Sequence, residues 1–62
     1  MNVVVDQALA NMSNAHKKQI QSLVLNKGLP QARTTIMLFT GLVDMKDIEE
    51  ILQGIVDWGK DA

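Results

Sequence analysis

The chain has no cysteine and no tyrosine, and only one histidine, one proline, one phenylalanine and one tryptophan among its 62 residues. Without cysteine there is no disulfide framework and no thiolate metal site. A single histidine cannot form a two-histidine zinc site, and with no thiol beside it there is no cysteine–histidine dyad. An excess of one charge is also lacking. Six basic residues against seven acidic ones leave a net charge of −1, a poor footprint for a protein held on nucleic acid mainly by charge. Long apolar runs are missing as well. The longest uncharged stretch, Thr34 to Val43, covers ten residues, where a membrane-spanning helix takes about 20. Asp6 interrupts the first apolar residues too early for a secretory signal, so the expected location is the cytoplasm.

What the chain does have is apolar content of 47%, too much for a disordered segment, in a length that suits one domain over residues 1–62. Glycine and proline punctuate it. Gly28-Leu29-Pro30 reads as a stop followed by a start, because glycine suits the left-handed residue after a helix and proline suits the first turn of the next. Gly41 and Gly59 read as two further stops. Asp44 reads as an N-cap, its carboxylate placed to accept from free N–H groups. The punctuation predicts helices over residues 3–27, 30–40 and 45–59.

The C-terminal segment carries the clearest pattern. At about 100° per residue, Met45, Ile48, Ile51, Leu52, Ile55, Val56 and Trp58 fall in an arc of about 160°, and polar residues fill the rest. In the N-terminal segment, Val5, Ala8, Leu9, Met12, His16, Ile20, Leu23 and Val24 form one stripe if the helix is continuous. Such a helix would be ~37 Å long and would overhang a globule of this size, roughly 27 Å across. Either it breaks at Ser13-Asn14, whose side chains favour caps, or a second chain covers the overhang. The unbroken phase of the stripe favours continuity. Residues 33–40 are rich in β-branched and aromatic types, a local preference for strand, but the bounding Pro30 and Gly41 favour helix. On that helix Ala32, Thr35, Ile36, Leu38 and Phe39 share a face, joined by Leu42 and Val43 if the phase continues, and Met37 lies outside it. The expected fold is therefore all-α: a small bundle of three helices, or four if the first breaks, with a long N-terminal helix.

A domain this small buries only about 60% of its unfolded surface and commonly leans on a staple or on oligomerisation. The expected remedy is homodimerisation, which would cover Leu25, Met37 and Val4, the apolar residues outside the stripes. Charge asymmetry agrees with pairing of the two halves, within one chain or between two. Residues 1–33 carry Lys17, Lys18, Lys27 and Arg33 against Asp6, whereas residues 34–62 carry two lysines against six acids.

Few residues suggest chemistry. His16 has no acid within four residues to orient it, and Lys17 and Lys18 adjoin it. Asp47 and Glu50 share a helix face, but capping and the helix dipole explain the acids among Asp44, Asp47, Glu49 and Glu50. No nucleophile elbow or phosphate-cradling glycine loop occurs in the sequence. Neither an enzyme activity nor a metal, cofactor or small-molecule substrate is expected. Two functional readings remain. The favoured one is a non-enzymatic protein-interaction module, an adaptor or inhibitor docking an apolar helix face on itself and on another protein, through Leu25, Met37, Phe39, Leu42 and Trp58. The alternative is a small helix-turn-helix DNA-binding regulator. Its second helix would offer Gln31, Arg33 and Thr34, with Lys17, Lys18 and Lys27 on phosphates.

Overall fold

The computed structural model of the chain describes residues 2–61; Met1 and Ala62 lie outside the described residues. Four helices follow one another: α1 (Val3–Asn11), α2 (Asn14–Asn26), α3 (Leu29–Thr40) and α4 (Met45–Asp61). No strand occurs among the described residues. Helix α4 is the central element, and each of the other three packs on it. The core consists of Val5, Met12, Ile20, Ala32, Ile36, Ile48, Ile51, Leu52 and Ile55. All five isoleucines of the chain are fully buried, whereas Leu52 is the only buried leucine.

The expected continuous first helix gives way to two. Met12 and Ser13 adopt extended backbone, and the Ser13 Oγ accepts from the His16 N–H at 3.2 Å, capping α2. The reason for the break is coverage. A straight helix would hold the apolar face of its first turns in water, whereas the bend lays α1 along α4 and buries Val5 and Met12. The radius of gyration is 10.4 Å, against about 10.6 Å expected for a compact chain of this length. The accessible surface of 4151 Å² is likewise near the roughly 4,000 Å² of a folded monomer of this mass. The overhang that called for a second chain is thus removed by folding back.

Two contacts fix how α1 lies. The Asn2 side chain caps α1 by accepting from the Val4 and Val5 N–H groups, and its Nδ2 donates to Asp47 Oδ1 at 2.8 Å and Glu50 Oε2 at 2.9 Å. One turn or more further on, Leu9 covers Gly54, where an added Cβ would stand 2.7 Å from Leu9 Cδ1. The two helices therefore run in the same direction.

Residues 33–40 are helical, as their boundaries required. Their strand preference is offset locally, since Thr34, Thr35 and Thr40 donate their hydroxyls to the carbonyls of Pro30, Gln31 and Ile36, four residues back. The expected face of α3 needs correction. Ala32 and Ile36 are buried and Met37 packs against the core, whereas Leu38 is 78% exposed. The helix ends at Gly41, in left-handed conformation at φ 73°, so Leu42 and Val43 do not share its phase. Gly28, at φ 97°, is the other left-handed stop. Gly59 stops nothing: α4 runs through it to Asp61. Its missing side chain admits Gln21 of α2, whose Nε2 donates to the Ile55 carbonyl at 2.9 Å.

Candidate protein-interaction surface

The exposed large apolar side chains are Val3, Val4, Leu25, Leu29, Leu38, Phe39, Val43 and Met45. Three local arrangements bring part of this set together. A cleft of about 400 Å³ separates α1 from the facing ends of α2 and α3. Val4, Ala8 and Met12 line one wall; His16, Phe39 and Leu42 line the other. At its mouth the His16 and Phe39 rings stack with centroids 4.4 Å apart and planes 24° apart, the offset arrangement aromatic pairs prefer. His16 is exposed although it continues the apolar stripe, because the bend removes α1 from the space above it.

Val4 also borders a second depression, with Asn2, Val3, Lys46 and Glu50. Val4 thus stands between two hollows, with Val3 beside it, at the end of the molecule where α1 starts. A third groove, about 290 Å³ and largely apolar, lies between the C-terminal parts of α2 and α4, bordered by Val24, Leu25, Val56 and Gly59.

Of the five residues expected at an interface, Phe39 and Leu42 meet in the first cleft and Leu25 borders the third groove. Met37 and Trp58 line neither. Met37 packs on the core, and Trp58 is half-buried with Lys17 Nζ 5.3 Å from its ring centroid. Sequence reasoning missed Val3, Leu38, Val43 and Met45 as surface residues. It placed the last three on core-facing arcs, and helix periodicity does not tell which edge of an arc more than 100° wide a small bundle will cover.

The residues of the DNA reading are dispersed in their roles. Lys18, Lys27, Gln31 and Thr34 are exposed, but Lys17 sits on Trp58 and Arg33 pairs with Glu49 of α4. Among the described residues no group of three or more His, Asp or Glu is placed to hold a metal ion. Asp47 and Glu50 instead hold the Asn2 amide. No described helix is long and apolar enough to cross a membrane. Compared with known proteins, the chain matches no family model, no curated protein and no solved structure.

Proposed function

We propose that this chain is a non-enzymatic protein-interaction module, an adaptor or inhibitor that docks apolar surface on a partner protein and on copies of itself. The observation that carries the reading is the placement of exposed Val4 and Phe39 and partly buried Leu42 around one cleft, with exposed Val3 next to Val4. Exposed apolar residues scattered singly are ordinary; a contiguous set with relief is what a partner can seat on. Phe39 is the natural anchor, since Trp58 already has one face occupied by Lys17. The DNA-binding alternative is weakened by the engagement of Arg33, the only arginine of its reader helix, with Glu49.

The test is solution mass by light scattering over a wide concentration range, for the natural chain and for Phe39→Ala. The expected result is association that Phe39→Ala weakens at least about tenfold. Binding to bulk duplex DNA at low salt that fades as salt rises, and that Arg33→Ala reduces, would replace this reading by the regulator.

A further inference from the structure

We infer that α1 is an exchangeable arm, and that the partner it fits is the α4 face of a second copy of this chain. The inference rests on the interaction reading above and makes it specific. Three observations carry it. First, α1 has its main packing on α4, and the cleft separates much of it from the ends of α2 and α3. Second, the hinge is two residues long, Met12 and Ser13, with neither glycine nor proline and no positive φ. Nothing in it forbids helix. Third, the apolar stripe remains in phase across the hinge. On one continuous helix Val5, Met12, His16 and Leu23 lie within about 40° of one another.

The sequence is thus written for two arrangements. In the closed one α1 folds back on its own α4. In the open one α1 and α2 are a single rod, and α1 overhangs its own globule. The overhang then finds on a second copy the same partners it leaves at home: Gly54 for Leu9, and Asp47 and Glu50 for Asn2. Exchange of an identical element creates a two-fold pair without a new surface, and short hinges favour it. Charge does not oppose the pairing, because the Asn2 amide meets acids in either case.

The hinge can be set by substitution. Ser13→Ala with Asn14→Ala removes the α2 cap and favours the rod. Asn14→Pro does the reverse. Position 14 is the first residue of α2, where proline is tolerated. Ser13 already has ψ 157°, as a residue before proline requires, whereas proline inside a continuous rod would break it. Light scattering should show the alanine pair dimerising at concentrations at least about tenfold lower than the natural chain, and Asn14→Pro, which keeps only docking through Phe39, at concentrations at least about tenfold higher. Circular dichroism should show both variants as helical as the natural chain.

The topology of the dimer is read by Leu9→Cys with Gly54→Cys, the only thiols in the chain. Leu9 Cγ, the position a cysteine sulfur would take, lies 3.7 Å from the Cβ position at Gly54, so side chains at 9 and 54 face each other in contact. Oxidation of isolated dimer should give a doubled mass on a denaturing, non-reducing gel. Dimers whose disulfide closes within one chain would overturn the exchange and leave docking through Phe39 standing. So would unchanged dimerisation of Asn14→Pro. A monomer in every variant at every concentration would overturn the exchange together with self-association.

Discussion

At the scale of single residues, two glycines in α4 show how absent side chains organise the packing of neighbours. Gly59 leaves room for Gln21, whose amide reaches the Ile55 carbonyl. An alanine there would place its Cβ 1.9 Å from Gln21 Nε2 and evict the side chain. Gln21→Ala should therefore cost about 1 kcal/mol in the natural chain, and close to nothing in a Gly59→Ala background. Urea unfolding of the four members of the cycle checks this. Side chains in the core behave differently. Ile51 is fully buried while Leu25 is 85% exposed. Ile51→Ala should cost roughly 2–5 kcal/mol, a large part of the few kcal/mol available to a chain this short. Leu25→Ala should change stability by less than about 0.5 kcal/mol. The Arg33–Glu49 pair is partly exposed, with side chains 29% and 48% accessible, and by the usual measure of such pairs it contributes at most about 1 kcal/mol.

At the scale of elements, the sequence announced its boundaries better than its faces. Gly28, Pro30, Gly41 and Asp44 mark ends because each acts through its own backbone or cap, and the structure has them in those roles: two left-handed glycines, a proline in the first turn of α3, and an Asp44 carboxylate accepting from the Lys46 N–H at 2.9 Å. The break at Ser13 was marked in the same way, by a capping residue. What could not be read locally was whether the chain would use it, since that depends on α4 offering a face to α1. Leu38 and Met37 exchanged places for a similar reason. Their order in the face is fixed by which side of α3 meets α4 and α2, a long-range matter that periodicity leaves open. Gly41 permits an element-scale prediction. Nothing lies within 4 Å of its missing Cβ, so Gly41→Ala meets only the backbone penalty of a left-handed residue. The cost should be about 1 kcal/mol in thermal unfolding, and Gly41→Asn should cost less, asparagine tolerating this conformation better.

At the scale of the whole molecule, the chain hides as much surface as one copy of its mass normally does, yet leaves eight large apolar side chains in water among the described residues. Compactness and stickiness are therefore separate properties here. The first is achieved by bending α1 back; the second is exposed apolar surface, part of it at the end where α1 begins and part beside the groove between α2 and α4. The candidate surface was only partly legible in the sequence for that reason: Phe39 and Leu42 were expected at an interface and Val4 outside the apolar stripe, whereas the place of Val4 beside Val3 and between two hollows emerged only once α1 lay beside α4. The division between interior isoleucines and mostly peripheral leucines has a practical consequence. Selective ¹³C labelling of isoleucine methyls yields a spectrum that reports the interior alone, while leucine labelling reports mainly the periphery. A ligand resting on the outside should shift leucine resonances and leave the isoleucine fingerprint in place, whereas any event that opens the fold must disturb both.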